Sequence, residues 1–177
     1  MRIVCQTGEV IDVSEPLEGS RFRGLNLHRA ILERVSFEGV VFESCNLRSA
    51  LFALSSGVDA RFIGCTLVLA GFQAADLRGA WFEASDAYSC DFTGANLAGA
   101  RFVSTRLELA SFRGCSLDGA DLTKTDLAGA LLEGALYTPK TRWPAGFDPT
   151  ACGAVLVGEQ QEIFGFLVDG EAPPDGE

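Results

Sequence analysis

Apolar residues recur at every fifth position from Leu17 to Leu132. Of the 24 positions 17, 22, 27 and so on to 132, all but Gly57 and Ala87 are Phe or Leu, and we call these the central positions. Two residues earlier the side chain is usually small, and two residues later Gly occurs 11 times in 24. An internal period of this kind is the sequence signature of a repeat architecture.

A period of five fits neither common element. On an α-helix, successive steps of five lie about 140° apart, and on a flat strand an odd step alternates between the two faces. A chain that turns a corner once per pentapeptide instead directs every central residue at a common axis, with the small residue beside it and Gly at the corner. The pattern therefore predicts a solenoid in which each coil contacts only its neighbours.

The clearest repeats read ADLRG (residues 75–79), ANLAG (95–99) and TDLAG (125–129). They resemble the A(D/N)LxG repeats of the pentapeptide-repeat family over roughly residues 15–137. The resemblance implies an all-β fold, a right-handed quadrilateral (four-sided) parallel β-helix solenoid, with about six coils in this chain. Grouping the central positions by twenties gives two Phe columns that face each other across the axis, one beginning at Phe22 and one at Phe52, with mainly Leu between them, and this pattern independently supports an even-sided coil.

The chain divides into three parts by composition. Residues 1–14 are predicted to form an N-terminal cap, a short hairpin around Thr7 and Gly8 that places Ile3, Val10 or Val13 over the first coil. Residues 15–137 form the β-helix. Five of the six prolines follow residue 138, so we assign residues 138–177 to a C-terminal capping segment, with Trp143 and Phe147 as lids on the last coil and disorder from about Gly170.

Two central positions break the pattern. At Gly57 we expect either that Val58 turns inward through a bulge or that the coil opens a loop, and Tyr88 is expected to replace Ala87 in the same manner. Either defect is a tolerated irregularity or a bulged wall that presents a contact surface.

The charge balance excludes some classes of function. The chain has 24 acidic and 14 basic residues, a net charge of −10, which opposes direct binding to a nucleic-acid backbone. No stretch of 18 uncharged apolar residues occurs, and residues 1–14 have no basic segment leading into a long apolar run. These features predict a soluble cytoplasmic protein with no membrane association.

Residue types that carry chemistry are sparse. His28 is the one histidine and is predicted to lie on the surface; no nucleotide-binding, hydrolase or metalloprotease motif occurs, so we expect no enzyme activity, cofactor or metal. The six cysteines include no CxxC pair. Cys45 and Cys65 are expected to stack in adjacent coils at a distance that permits a disulfide. We interpret both as small buried thiols, because Cys90 and Cys115 occupy the same phase without a partner twenty residues away.

One column of outward positions combines arginines with apolar and aromatic residues. Arg and Trp are enriched at the hot spots of protein interfaces, so we predict that this wall binds another protein or a second copy of the chain as a homodimer. The alternative is that β-branched and aromatic side chains only stack on neighbouring strands. The candidate residues are Arg21, Arg23, Val41, Arg61, Ile63, Trp81, Arg101 and Val103.

The family resemblance implies a second function, because some members bind DNA gyrase or a related topoisomerase as an acidic rod that mimics DNA, and thereby inhibit it or protect it from quinolones. Six aspartates form the candidate acidic surface: Asp76, Asp86, Asp91, Asp118, Asp121 and Asp126. Residues 15–137, however, hold 15 acidic and 11 basic side chains, whereas DNA of the same length, roughly 29 Å, would carry about 17 charges. We therefore favour a non-enzymatic scaffold or interaction module with an unidentified protein partner, and keep topoisomerase binding as the alternative.

Overall fold

The computed structural model describes residues 2–5, 8, 10–12 and 17–158, and in this part of the chain all regular structure is β. The chain winds into a β-solenoid of about seven turns. The strands are β1 (Arg2–Cys5), β2 (Val10–Asp12), β3 (Arg21–Arg23), β4 (Ala30–Ile31), β5 (Val41–Glu43), β6 (Arg61–Ile63), β7 (Trp81–Glu83), β8 (Arg101–Arg106), β9 (Asp121–Asp126), β10 (Leu136–Tyr137) and β11 (Val155–Leu156).

Parallel pairing between residues twenty apart holds the coils together. Strands β3, β5, β6, β7, β8 and β9 form a six-stranded sheet in that order, and Phe22 pairs with Phe42 and Phe42 with Phe62. Three further ladders of parallel bridges run through Asn26, Ile31 and Ser36 with the same step of twenty. Four pentapeptides therefore complete one turn, and the predicted β-solenoid is confirmed.

The core is a double stack of Phe rings. Rings twenty residues apart stack nearly parallel, with centroids 4.8 Å apart for Phe62 and Phe82 and 4.6 Å apart for Phe52 and Phe72. Rings of the two columns meet edge to face, as Phe72 and Phe82 do at 6.1 Å, which is a favoured aromatic geometry. The two facing Phe columns predicted from the sequence are confirmed.

The count of about six coils is too low, because the chain continues to stack beyond residue 137. Arg142 bridges to Asp121, the residue 21 positions earlier, so this turn has one residue more than the usual twenty. Later in the same turn β11 pairs with residues of β10 that lie only 19 positions earlier, and this shorter step restores the register. Trp143 packs edge to face on Tyr137 and stacks on Phe147, and both rings contact the core as predicted. Residues from Gly170 onward lie outside the described part of the chain.

The N-terminal hairpin is confirmed: β1 pairs antiparallel with β2 and with β4 of the first turn. Of the three residues proposed to cover this turn, Ile3 is fully buried and Val10 is exposed. Val13 is outside the described residues.

The expectation of a bulge or loop at Gly57 is wrong. Bridges join Ser56 to Ser36 and to Asp76, so the ladder is unbroken at this site. The space left by Gly57 is filled by the ring of Phe37 from the preceding turn, because a Cβ built on Gly57 would lie 2.2 Å from Phe37 Cε2. Ala87 likewise keeps its central position and is fully buried, while Tyr88 stays half-buried at an outward position. Neither site presents the bulged wall that was considered as a contact surface.

Small polar side chains close one corner of the coil. Cys45, Cys65, Ser85 and Thr105 each lie twenty residues apart, and each donates a hydrogen bond to the carbonyl of the central Phe 23 residues earlier. All four are buried, and the described cysteines are free thiols. The interpretation of Cys45 and Cys65 as small buried thiols is confirmed.

Candidate interaction surface

The predicted binding wall is the outer face of the six-stranded sheet. Successive side chains of a strand point to opposite faces, so the two residues that flank each central residue point outward. We call the outward residues beside the central residues 22, 42, 62, 82, 102 and 122, extended along the same ladder, the Arg–Trp wall. All eight candidates lie on this wall: Arg21, Arg23, Arg61 and Arg101 are exposed, and Val41, Ile63, Trp81 and Val103 are half-buried.

Trp81 lies at the middle of the wall between two arginines. Parallel pairing aligns it with Arg61 on one side and Arg101 on the other. The guanidinium carbon of Arg101 is 4.5 Å from the centroid of the Trp81 ring, and that of Arg61 is 5.6 Å away. Within the described residues neither arginine has a carboxylate within ion-pair distance. Both guanidinium groups therefore lie on an aromatic face with no ion pair to a described residue, while Arg101 has Asp121 as its neighbour on the next strand.

The N-terminal end of the wall is arranged differently. Arg21 and Arg23 both contact the carboxylate of Glu43, at 3.1 and 3.5 Å. Among the described residues, one carboxylate thus serves two arginines at this end of the wall.

Sequence reasoning missed two basic residues of this wall, Lys124 and Arg142. Lys124 was overlooked because a register shift in β9 makes it, rather than residue 123, the partner of Val103. Arg142 follows Asp121 by 21 residues, so a strict step of twenty does not reach it. With them the wall holds six basic residues (Arg21, Arg23, Arg61, Arg101, Lys124 and Arg142) and three acidic ones (Glu43, Glu83 and Asp121), in a protein whose net charge is −10.

The six candidate aspartates are not brought together in one patch. Asp76 and Asp118 belong to the ladder that begins at Ser36, Asp86 and Asp126 to the ladder of Asn26, Asp91 to that of Ile31, and Asp121 to the Arg–Trp wall. Four different faces therefore share them.

All six of these carboxylates also have a partner nearby. Arg78 forms a 2.7 Å ion pair with Asp76, and its hydrogen bonds hold the pKa of Asp76 below its usual range. Arg106 is 3.6 Å from Asp86, and Arg142 is 3.0 Å from Asp121. Asp91 accepts hydrogen bonds from Gln73 and Thr93, and Asp118 accepts one from Thr138. Asp126 accepts one from the backbone N–H of Ala128.

A different set of acidic residues does share one face. The outward residues around the ladder of Ser36 include five carboxylates and one arginine, and we call this face the acidic wall. Its charged members are Glu18, Glu38, Asp59, Asp76, Asp118 and Arg78.

No group of three or more His, Cys, Asp or Glu side chains in residues 2–5, 8, 10–12 and 17–158 is arranged to hold a metal ion. No helix with the length and apolarity needed to cross a membrane occurs there either.

Comparison with solved structures gives similar proteins with low overall superposition. HetL from the cyanobacterium Nostoc sp. strain PCC 7120, a pentapeptide repeat protein involved in heterocyst differentiation regulation, is 18% identical, with 78% of this chain and 84% of HetL covered and a TM-score of 0.44. QnrB1, a plasmid-mediated fluoroquinolone resistance protein, is 16% identical, with 83% and 88% covered and a TM-score of 0.47. A pentapeptide repeat protein from the Arabidopsis thaliana thylakoid lumen is 30% identical, with 63% and 70% covered and a TM-score of 0.29. Among curated proteins, no sequence matches this chain significantly.

The family comparison is more direct. The model described as pentapeptide repeats matches eight copies in this chain, over residues 17–48, 70–108 and 90–129. These ranges cover more than half of the chain and coincide with the ladders of the solenoid. The chain therefore belongs to the pentapeptide repeat family.

Proposed function

We propose that this protein is a non-enzymatic interaction module whose Arg–Trp wall binds an acidic protein partner. The observation that carries the proposal is the pair Arg61 and Arg101, which lie over Trp81 without a carboxylate partner among the described residues.

An arginine stacked on an aromatic ring keeps its N–H groups free for other acceptors. The stacked ring restricts the guanidinium plane, so less side-chain entropy is lost when a carboxylate binds to its edge. Cation–π contact contributes about 0.5 to 1 kcal/mol at an exposed site and more when a partner excludes water from it. Trp81 and the two arginines are thus prepared for a partner that offers carboxylates beside an apolar surface.

The test compares variants of this wall with matched variants elsewhere. Trp81→Glu and the pair Arg61→Glu with Arg101→Glu alter the wall. Tyr88→Glu is the control. Tyr88 is also a half-buried, outward aromatic residue with an arginine over its ring, because the guanidinium carbon of Arg106 is 4.4 Å from the ring centroid. Tyr88 lies on another face of the solenoid.

Molar mass in solution and partner capture from an extract of the source organism are the measurements. We expect both wall variants to lose a partner, or a second copy, that the wild type and Tyr88→Glu retain. Equal association of all four proteins in both measurements would refute the assignment of the wall.

The second candidate function is binding to DNA gyrase or a related topoisomerase by partial DNA mimicry, and the acidic wall favours it. From Glu18 to Asp118 this wall spans five strand spacings, about 24 Å, with five acidic residues and one basic residue. DNA of that length carries about 14 charges, so the mimicry would be partial. A gyrase supercoiling assay with and without a quinolone separates the two functions: a clear effect at micromolar protein would favour topoisomerase binding over our first proposal.

A further inference from the structure

We propose that a second face of the solenoid binds an acidic amphipathic α-helix of a partner protein. This face consists of the wall around the central residues 32, 52 and 72 together with the N-terminal hairpin beside it, and we call it the apolar channel. It belongs to a different ladder from the Arg–Trp wall, so the inference does not depend on that wall. Its apolar members are Val4, Val10, Ile31, Leu51, Leu54 and Leu69.

One row of apolar side chains runs along the floor of the channel. Val10 pairs with Val4 in the hairpin, Val4 pairs with Ile31, and Ile31 bridges to Leu51 in the next turn. Side chains directly opposite each other on paired strands share one face of the sheet. Val10, Val4 and Ile31 are 50%, 44% and 40% exposed. The free protein therefore leaves a continuous apolar row in contact with water.

The residues two positions after each central residue, which we call the turn residues, border this row on both sides. All six turn residues beside the row have a left-handed backbone, with φ between 53° and 60°. Glycine adopts this conformation most readily, yet none of the six is glycine. In the next three turns of the same wall, four of the six turn residues are Gly94, Gly114, Gly129 and Gly134. The six beside the row are Arg29, Ser49 and Leu69 on one side and Arg34, Leu54 and Ala74 on the other.

Two of these turn residues, Leu54 and Leu69, are unfavourable in the free protein for two reasons. A left-handed backbone is strained for leucine, and the two side chains stay 51% and 52% exposed, so they gain little from burial. Strain of this kind and exposed apolar patches both occur where a protein binds another molecule. A partner that covers both leucines accounts for their presence at these positions.

The same wall becomes polar at its fourth turn. Gln73 donates a 2.7 Å hydrogen bond to Asp91, and its amide lies over Gly71, because a Cβ built on Gly71 would be 2.7 Å from Gln73 Oε1. Beyond this point the outward residues include Thr93, Ser111, Arg113 and Glu133. The apolar channel thus ends at Gly71, four strand spacings or about 19 Å from Val10.

The charges beside the channel select an acidic partner. Arg29 and Arg34 are exposed on either side of Ile31, and neither forms an ion pair with a described residue. Glu33 is the single carboxylate among the described residues of this wall in its first three turns. The channel therefore carries a positive charge on a protein whose net charge is −10. Carboxylates that flank an apolar stripe complement it.

The dimensions of the channel match one α-helix. Turn residues on its two sides are five positions apart in the chain, at most about 17 Å, and a helix with its side chains is about 10 to 12 Å wide. The apolar row repeats every 4.8 Å or so, close to the pitch of about 5.4 Å at which a helix presents its apolar stripe. A helix of about 13 residues fills the channel lengthwise. Docking of an amphipathic helix in a groove is an established mode of recognition.

The experiment measures binding of synthetic helical peptides to the full chain by fluorescence anisotropy. The probe is a fluorescein-labelled peptide with a leucine stripe at helical spacing and glutamates on both flanks of the stripe. One comparison peptide has lysines in place of the glutamates. The other contains the residues of the probe in an order that has no stripe.

Two variants alter the channel. Leu54→Gly with Leu69→Gly removes the exposed leucines, and Arg29→Glu with Arg34→Glu reverses the flanking charges.

Each channel variant has a matched control. Leu109→Gly is the control for the leucines, because Leu109 is also a turn residue with a φ of 58° and 48% exposure but lies beside the polar half of the wall. Arg61→Glu with Arg101→Glu makes the same charge change on the Arg–Trp wall.

We expect the acidic probe to bind the wild type about tenfold or more tightly than either comparison peptide. Both channel variants should bind it about tenfold or more weakly, because they remove buried apolar area or the charges that meet its glutamates. The two control variants should bind it as the wild type does. Glycine relieves the left-handed strain, so the thermal unfolding midpoint of the Leu54→Gly, Leu69→Gly protein should not fall, and its loss of binding is not a loss of folding.

Several results would overturn the inference. One is equal binding of the acidic probe to the wild type and the leucine variant, and another is a preference for the lysine peptide. Vesicles of phosphatidylcholine and phosphatidylserine that bind the wild type but not the leucine variant would identify a membrane as the occupant. A wild-type dimer that the leucine variant makes monomeric would identify a second copy. The Arg–Trp wall is tested by its own variants, so either surface can fail without the other.

Discussion

The ring of Phe37 fills two turns of the core, and this gives a sharp test of the packing. Most central residues of its column are Leu, including Leu17, Leu77, Leu97 and Leu117, but the column contains the successive pair Phe37 and Gly57. A Cβ on Gly57 would lie 2.2 Å from Cε2 and 2.3 Å from Cζ of Phe37. The Phe37 ring cannot easily move away, because it is fully buried and its centroid is 5.2 Å from that of Phe52 and 6.2 Å from that of Phe62.

We therefore expect Gly57→Ala to lower the free energy of unfolding by about 1 to 3 kcal/mol, the usual effect of overpacking a dense core. The backbone of Gly57 does not have a positive φ, so the loss would arise from the clash and not from backbone strain. For a chain of this size the melting temperature should fall by about 2 to 12 °C. Phe37→Leu should also destabilise the protein, by about 1 to 3 kcal/mol, because it leaves part of the space beside Gly57 empty.

The double variant Phe37→Leu, Gly57→Leu restores the leucines that are usual in this column. We expect its stability to be close to that of the wild type, with a favourable coupling of at least about 2 kcal/mol between the two sites. Urea unfolding followed by circular dichroism compares the wild type, Gly57→Ala, Phe37→Leu, the double variant and Gly57→Leu, the single variant that closes the cycle for the coupling. Gly71→Ala is the control, because the nearest atoms to its added Cβ belong to the end of the Gln73 side chain, which lies outside the core and can move at the cost of its hydrogen bond to Asp91. An unchanged midpoint for Gly57→Ala, or a double variant that shows the sum of the single losses, would refute this account of the core.

Two further predictions concern the small residues at the corners. Ser85→Ala should lower the free energy of unfolding by about 1 to 3 kcal/mol, because Ser85 Oγ donates to Phe62 O and accepts from the backbone N–H of Cys65, both at 3.0 Å. Ser85→Cys should lower it less, because cysteine is the residue used at the equivalent positions 45 and 65. Equal losses of stability for the two variants in urea unfolding would contradict this. Burial raises the pKa of the Cys115 thiol to about 12 and also raises that of Cys90. At pH 8 iodoacetamide should therefore modify half-exposed Cys152 first and leave Cys90 and Cys115 unmodified until urea unfolds the chain. Peptide mapping that finds early modification of either buried thiol would show that the core opens more readily than its packing implies.

The sequence placed the eight Arg–Trp wall candidates on one face, because residues twenty apart stack in the four-sided coil that the family resemblance implies. It did not reveal that Arg61 and Arg101 form no ion pair with any described residue, while Arg106, beside a similar aromatic residue, contacts Asp86 and Glu108. That difference depends on which carboxylates lie within reach across neighbouring strands. The same limitation applies to the candidate aspartates, since their number could be counted but their division among four faces required the ladders.

The sequence by itself determined that each pentapeptide turns a corner and directs its central residue at a common axis, because neither a helix nor a flat strand can bury every central Phe and Leu at a period of five. The step of twenty came from the resemblance to four-sided pentapeptide-repeat coils, and grouping the central positions by that step gave the two Phe columns. Only the tertiary structure decided how the exceptions are accommodated. Phe37 extends toward Gly57, and the seventh turn compensates a step of 21 with a step of 19. These outcomes depend on contacts between side chains and backbones of adjacent turns, whereas the repeat itself specifies only the position of each residue within its own turn.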